Sequence, residues 1–597
     1  MPREWAEPQL RRMVGALCHE PFYQTGTWID ESLGLYVGWA ALKGSFSDGM
    51  PLQSERGDVV LVFSGEDYSD PQRVQRLEPR GPSPDRRRCS YLVHLCEEDS
   101  RFPAGLNGMF HGVLADRTGG TITLFNDRYG MHRVYCHESK DAFFFGAEAK
   151  AILAARPELR TPSPQGLGEF VACSCVLENR TIFKDINLLP AASAWVFRNA
   201  TIAQRRAYFD PREWEQQTPL DPESYYQQLR DALSQSLPRY FEGPESTGIA
   251  LTGGMDTRVI MAWEKSASGS LPCYTFGGMF RECQDVRLAR KVAKTCQQTH
   301  SVIEVGNEFL KCFPHYAERS VYLTEGGVDV YRASDLYVSE KAREIAPAKV
   351  VGTYGSEIVR HAVMFKPMPP ADGLFQPEFL THVHRAGDTY ATVRRAHPVT
   401  FAAFRQSPWY HHGILALEQS QLTVRSPYLD DNFVRTVFRA PHANNGNGDV
   451  RLRLIRDGSA GLRRIPSDRG VGGNRGAFLA ALSHGIQEFT FKAEYAYDYG
   501  MPQWVATVDH ALAPLHLERL FLGRHKFLHY RVWYRDALAE YVRQMLLDPL
   551  TLSRPYLERK SLENIVNGHL KGDRNYTTAI HKMLTLELLH RQFFDAR

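Results

Sequence analysis

The sequence predicts a mixed α/β and α+β chain: an antiparallel, strand-rich first third, then a parallel α/β domain with a helical C-terminal part. Three observations carry this. The chain has 597 residues, too many for one core and enough for two or more domains. Its first third consists of short alternating or compactly apolar runs divided by turn residues, the pattern of antiparallel strands. Further on, strands and helices alternate, the pattern of a parallel sheet with helices on both faces.

Taken in order, strands are expected at DVVLVFSG, GMFHGVLAD, GTITLFNDRYG, DAFFFGAEA and ASAWVFRN. The texture changes after Asn199. DPREWEQQTPLDPE is polar and proline-rich, and places a domain boundary between residues 205 and 220. An amphipathic helix follows in DPESYYQQLRDALSQSLPRYF, with Asp221 as N-cap and Pro222 in its first turn. TGIALTGG then leads into the helix MDTRVIMAWEKS, and LPCYTFGG into QDVRLARKVAKTC. HSVIEV precedes a helix over residues 309–321, and AKVVGTYG reads as one more buried strand. The remainder is mostly helical to YTTAIHKMLTLELLHRQFF, with no internal repeat and no low-complexity segment.

Bulk properties narrow the function classes. A hydrophobic share of 43% and a charged share of 23% are those of an ordinary globular chain. A net charge of +3 gives no polyanion signal, so no nucleic-acid partner is expected. No apolar run nears the roughly 20 residues that span a bilayer, and the N-terminus lacks an apolar secretory core, so no membrane is expected. The 10 cysteines form no CxxC pair. Cys173 and Cys175 come nearest, at a spacing poor for zinc. Reduced cysteines in a cytoplasmic protein are the expectation, and a homodimer is left open.

The stretch GIALTGGMDTRVIMAW carries the chemistry. A strand that runs into Gly253 and Gly254 and then a helix aims backbone N–H groups and a helix N-terminus past the end of a parallel sheet, where anions bind. Thr252 and Thr257 add hydroxyls. Asp256 would repel an anion there unless a divalent cation bridges the two. Two readings stand on these residues alone: this anion site, and a tight strand–helix turn with a capping aspartate.

LTGGMDTR resembles the pyrophosphate loop S-G-G-x-D-S of the ATP pyrophosphatases, with both serines replaced by threonines. LNGMFHGVLADRTGGTITLFNDRYGMHRVYC, FFFGAEAKAIL, RTIFKDINLLPAASAWVF and TVRSPYLDDNFVRTVF resemble segments of the asparagine synthetase family, in the same order. The resemblance implies an N-terminal-nucleophile-type αββα sandwich over residues 13–205, of glutamine amidotransferase kind. It implies an ATP-pyrophosphatase α/β domain over residues 220–597. It also implies an ATP-dependent carbon–nitrogen ligase that adenylates a carboxylate, releases pyrophosphate and passes the acyl group to ammonia or an amine. Small-molecule or peptide carboxylates and amines are the implied partners, and ATP and Mg2+ the implied cofactors.

The sequence departs from this family at both sites. The family's glutaminase begins Met-Cys-Gly-Ile, with the cysteine at the chain terminus as nucleophile. Here the matching segment is MVGAL, with Val14 in place of the cysteine and a dozen residues ahead of it. Cys18 is internal and four positions late. The family's Asn-Gly-Glu appears as Ser64-Gly65-Glu66, an acid that should hold glutamine's ammonium aligns with Arg88, and the arginines expected near LGLYVGWAAL are missing. The first domain is therefore expected not to hydrolyse glutamine.

At the second site, the family's S-G-E-G-A-D-E corresponds to GTYGSEI. Tyr354 resembles the tyrosine of β-lactam and carbapenam synthetases, where it forms a catalytic dyad with a glutamate. Glu357 takes the place of the second magnesium-binding aspartate, beside Asp256. Two residues compete as the tyrosine's partner, His411 and Glu418. Arg469 stands nearest the place of the family's catalytic lysine. By position in the family, Thr252, Gly253, Gly254 and Thr257 would hold pyrophosphate, and Leu251, Phe276, Gly352 and Thr353 would flank AMP. Simple amidation, lactam or lasso-type peptide macrocyclisation, and amidation of another metabolite compete as outcomes. A nucleotide-binding pseudoenzyme or scaffold is the alternative of another class.

Overall fold

A computed structural model of the chain describes residues 2–77, 89–441, 449–468, 477–512 and 522–595. The first part is antiparallel. Its strands are β1 (Tyr23–Asp30), β2 (Leu35–Leu42), β3 (Leu52–Gln53), β4 (Val59–Gly65), β5 (Phe110–Asp116), β6 (Thr121–Asn126), β7 (Tyr135–Glu138), β8 (Phe143–Gly146), β9 (Asn187–Leu188), β10 (Ser193–Arg198) and β11 (Thr201–Ala207). They form a β1–β2 hairpin, a six-stranded sheet ordered β11-β10-β6-β5-β4-β3, and a three-stranded sheet ordered β8-β7-β9. Both faces of β5 are packed: Phe110 stacks on Phe63 of β4, and on the other face Val113 stands between Val62 and Leu124.

The helix Arg3–Leu17 opens the chain, and the sequence reading had no helix there. It lies across β2, where Gly38 leaves room for Val14: a Cβ on Gly38 would come within 2.3 Å of Val14 Cγ2.

The second part is built on a five-stranded parallel sheet of β12 (Thr247–Ala250), β13 (Cys273–Gly278), β14 (His300–Val305), β15 (Ala348–Val350) and β16 (Thr423–Arg425). Its order is β14-β13-β12-β15-β16. The helix Pro222–Ser236 leads into it, and Asp221 caps that helix by accepting from the N–H groups of Glu223 and Ser224. Helices Asp256–Trp263, Gln284–Thr295 and Asn307–Thr324 follow the strands, and helices dominate from Pro377 onward. Gln284–Thr295 shows why these segments fold as they do: Val286, Ala289, Val292 and Ala293 are buried on one stripe while its lysines and arginines face out. The helix Thr577–Leu589 runs through the core, with Ile580, Met583, Leu584 and Leu588 buried. Among the described residues no helix is long and apolar enough to cross a membrane. None of the ten cysteines forms a disulfide.

Candidate active site

In the parallel sheet the chain runs from β12 outward to β13 and β14, then returns to β15 and β16 on β12's other side. The crevice outside the carboxyl ends of β12 and β15 is therefore the topological switch point, where ligands bind in such sheets. Two turns enter it, residues 251–255 and residues 351–354. They lead into the helices Asp256–Trp263 and Gly355–Arg360. The turns touch so closely that glycine is required in the second. A Cβ on Gly352 would lie 2.7 Å from the Thr257 nitrogen, and one on Gly355 would lie 2.8 Å from Asp256 Cγ. Between them Tyr354 takes a left-handed conformation at φ 76°.

The first turn is braced from behind. Arg258 is buried and donates to the carbonyls of Gly253 (3.1 Å), Ile465 (2.5 Å) and Pro466 (3.1 Å). Burial pulls its guanidinium down to about 10. The Asp468 N–H donates to the same Gly253 carbonyl at 3.1 Å. Gly253 N–H donates to Asp285 Oδ1 at 2.9 Å, and Gly254 N–H to Thr252 Oγ1 at 3.2 Å. The Thr252 and Thr257 hydroxyls lie 3.5 Å apart. The loop thus presents Gly254, Met255 and Asp256 to an open cleft whose other walls carry Arg360, Arg456 and Arg463.

Asp256 is engaged on both oxygens. Arg451 Nη1 donates to Oδ1 at 2.6 Å and the Ser356 hydroxyl to Oδ2 at 2.7 Å. Burial pushes the carboxyl up, and Arg451 pulls the other way. Arg451 is buried too, and grips Asp449 through Nε (2.9 Å) and Nη2 (2.6 Å). Glu357, expected as the second magnesium ligand, lies with Oε1 3.2 Å from His411 Nε2. Among the described residues no three His, Cys, Asp or Glu side chains converge as a metal site. Protein donors thus occupy both oxygens of Asp256, one of them a guanidinium.

Tyr354 is buried, with its ring edge-on to His411 at 5.3 Å between centroids. Burial first, then the Glu418 and Glu357 charges, push its phenol well above the ordinary value. Such a phenol keeps its proton at neutral pH and releases it only into a neighbouring acceptor. Of the two candidates for that neighbour, His411 makes the ring contact. Glu418 is paired with buried Lys349 of β15, Nζ to Oε1, at 2.8 Å. His411 rides on the π-wound segment Ala402–His411, a winding frequent at functional sites. Arg133 of the first part holds that segment, its Nη2 donating to the Pro408 carbonyl at 2.6 Å. Leu251, Phe276, Gly352 and Thr353 sit at the carboxyl ends of β12, β13 and β15. The Thr353 carbonyl accepts from the Ser426 hydroxyl at 2.8 Å. Arg469 lies outside the described residues.

Sequence reasoning missed Arg258, Arg451 and Asp449. Arg258 carried a signal, as the lone charge on an otherwise apolar helix two residues past the loop aspartate. Arg451 carried little, as one of four arginines in VRLRLIRDGSAGLR.

In the first part, Val14 lies inside the opening helix and Cys18 is exposed just beyond it. Glu66 is taken up by Arg425. Arg88 lies outside the described residues.

Residues 2–209 match the family described as glutamine amidotransferase domain. The chain is 21% identical over 292 residues to glutamine-hydrolyzing asparagine synthetase 1 of Bacillus subtilis (strain 168), covering 48% of this chain and 45% of that protein. It is 24% identical over 225 residues to a probable glutamine-hydrolyzing asparagine synthetase of Schizosaccharomyces pombe (strain 972 / ATCC 24843), covering 37% and 35%. The matches thus span less than half the length of these curated relatives. Among solved structures, the allosteric regulatory enzyme of purine biosynthesis aligns over 44% of this chain and 66% of its own, at 9% identity and a TM-score of 0.21, and carries no argument here.

Proposed function

We propose that the chain, which is similar over part of its length to asparagine synthetases, is a member of that family and an ATP-dependent amide-forming ligase that works without hydrolysing glutamine. The single observation that carries this is the meeting of two turns at the sheet's switch point, with Gly355 packed on Asp256 and Tyr354 between the loop and His411. In this reading a carboxylate oxygen attacks the α-phosphorus of ATP, and pyrophosphate leaves. Thr252, Gly253, Gly254 and Thr257 receive the pyrophosphate, which competes with Asp285 for the Gly253 N–H. Leu251, Phe276, Gly352 and Thr353 flank the adenosine end.

An amine then attacks the acyl carbon, AMP leaves, and the amine's proton passes by way of Tyr354 to His411. The tyrosine's high proton affinity makes the pair, and not the phenol alone, the base. The amine is ammonia, a second molecule, or a group on the carboxylate substrate itself, as in lactam or macrocycle closure. Ten cysteines without a disulfide suit a reducing, cytoplasmic setting.

ATP–pyrophosphate exchange across a panel of amino acids, peptides and other carboxylates tests the reading. Exchange dependent on one carboxylate class is expected. ATP bound at one per chain with no exchange for any carboxylate would select a second reading, a nucleotide-binding pseudoenzyme. One observation favours that second reading, the capture of Asp256 by Arg451.

A further inference from the structure

Asp256 lies where a loop cation would be needed, yet the protein supplies that positive charge itself. The guanidinium of Arg451 has five N–H donors. Those on Nη1 go to Asp256 Oδ1 at 2.6 Å and Ser356 Oγ at 3.0 Å. Nε and Nη2 go to Asp449 at 2.9 and 2.6 Å. Arg451 is 3% exposed, so swinging it aside would break these bonds and leave two half-buried carboxylates without their cation. Glu357, the other acid, faces His411 Nε2 at 3.2 Å. A divalent ion bridging Asp256 and Glu357 would stand beside the guanidinium, which repels it.

We propose that Arg451 is the built-in counter-ion of the phosphate loop, taking the role a divalent cation would have at Asp256, so that the loop accepts a pyrophosphate group with no metal ion on that acid. The charge logic is self-contained. Asp256 alone would repel a phosphate at Gly254; the guanidinium 2.6 Å from it offsets part of that charge, and because Arg451 also pairs with Asp449, Arg360 near Asp449 supplies the second cation. Ser356, shared by Asp256 and Arg451, holds the pair in one geometry. The proposal rests on the ligase reading only for the identity of the anion.

Two measurements on the full chain decide it. The first uses Mn2+ alone, followed by electron paramagnetic resonance. The wild type is expected to hold no Mn2+ that Asp256→Asn removes. Arg451→Gln, folded by circular dichroism, is expected to gain a bound Mn2+ that a further Asp256→Asn abolishes, while Arg451→Lys gains none. A wild-type chain that binds Mn2+ and loses it on Asp256→Asn overturns the proposal, as does a folded Arg451→Gln that gains nothing.

The second measurement is calorimetry with inorganic pyrophosphate, in EDTA and in Mg2+. Wild-type affinities within about threefold of one another are expected, with a loss of about tenfold or more in EDTA for Arg451→Gln. Tightening of the wild type by Mg2+ of more than about tenfold, removed by Asp256→Asn, would place the ion on the aspartate and end the idea. This arm needs no Arg451 variant, so it decides even if Arg451→Gln does not fold. A chain that binds pyrophosphate under neither condition defeats the ligase reading, and the Mn2+ result then settles this inference by itself.

Discussion

Arg425 of β16 and Glu66, one residue past the end of β4, meet as a buried fork that joins the two halves of the molecule. Arg425 Nη2 donates to Glu66 Oε1 at 2.7 Å and Nε to Oε2 at 2.9 Å. The Tyr68 hydroxyl also donates to Glu66. Arg128–Asp431 (2.9 Å) and Arg239–Asp430 (3.3 Å) lie on the same face, and Asn107 donates to Asp430 at 2.8 Å. An acid at a position that resembles a glutamine-holding loop is thus spent on the partner domain.

Breaking that fork is expected to cost stability steeply. Arg425→Met leaves Glu66 buried without its counter-charge, a loss of about 3–5 kcal/mol. Glu66→Gln alone leaves Arg425 facing Glu245 at 4.0 Å and is expected to be milder. The double variant should recover much of the Arg425→Met loss, because it removes the orphaned charge. Urea denaturation checks this, and equal midpoints for wild type and Arg425→Met would show that the fork contributes nothing.

Glutamine should not be hydrolysed. Val14 sits in the last turn of the Arg3–Leu17 helix, packed on Gly38, with neither a thiol nor a free amine to offer. Glutamate release should match a blank lacking protein, before and after Cys18→Ala. Release that Cys18→Ala abolishes would make the exposed cysteine a nucleophile and reverse this reading.

The parts of the fold that write themselves into sequence are those with a local period or a turn residue. Strands β4, β5, β6 and β10 lie where alternation put them, and the parallel βα units where apolar runs met glycine turns. The Arg3–Leu17 helix escaped because Pro8 and its polar face break the stripe, while its support comes from β2, far along the chain. At the candidate site, the glycine loop and Tyr354 were legible because close backbone approach restricts which residues fit. The Arg451–Asp256 pair spans 195 positions and the Arg425–Glu66 fork 359. No local pattern reports an ion pair that only the tertiary fold brings together.

Acid should loosen the first domain's contact with the second. His111 and His132, with ring centroids 5.5 Å apart, line a cavity of about 210 Å³ between the domains together with His412. Burial holds His111 down to about 4 and His132 to about 3. Unfolded histidines titrate near 6.5, so below that pH the unfolded chain binds more protons than the folded one. The stability these groups lend is complete above about pH 6.5 and is lost as pH falls toward 4, by at most about 1.4 kcal/mol per pH unit for each. Buried Asp127, raised to about 7, works oppositely, its contribution fading as pH rises through 7. Melting temperature should therefore fall from pH 7 to pH 5 in the wild type and flatten or turn over in His111→Gln/His132→Gln. Parallel profiles for the two would remove these histidines from the account.

Tyr354 should matter for the second half-reaction and spare the first. Its phenol follows β15 at the edge that also presents Thr252 and Asp256, yet neither loop turn shows a hydrogen bond to it among the described residues. Adenylation in the proposed scheme depends on the loop's backbone and hydroxyl donors, which Tyr354→Phe leaves in place. Proton removal from the attacking amine depends on the tyrosine–histidine pair, and general-base help is worth roughly 10²–10⁴-fold. Tyr354→Phe is therefore expected to retain ATP–pyrophosphate exchange and to slow amide formation by about that factor. His411→Asn should do the same, and Glu418→Gln should instead act through Lys349, lowering stability before it touches turnover. Equal loss of exchange and amide formation would make Tyr354 a binding residue. No loss of either would leave it a packing aromatic held at φ 76° by the crowding of Gly352 and Gly355 against Thr257 and Asp256.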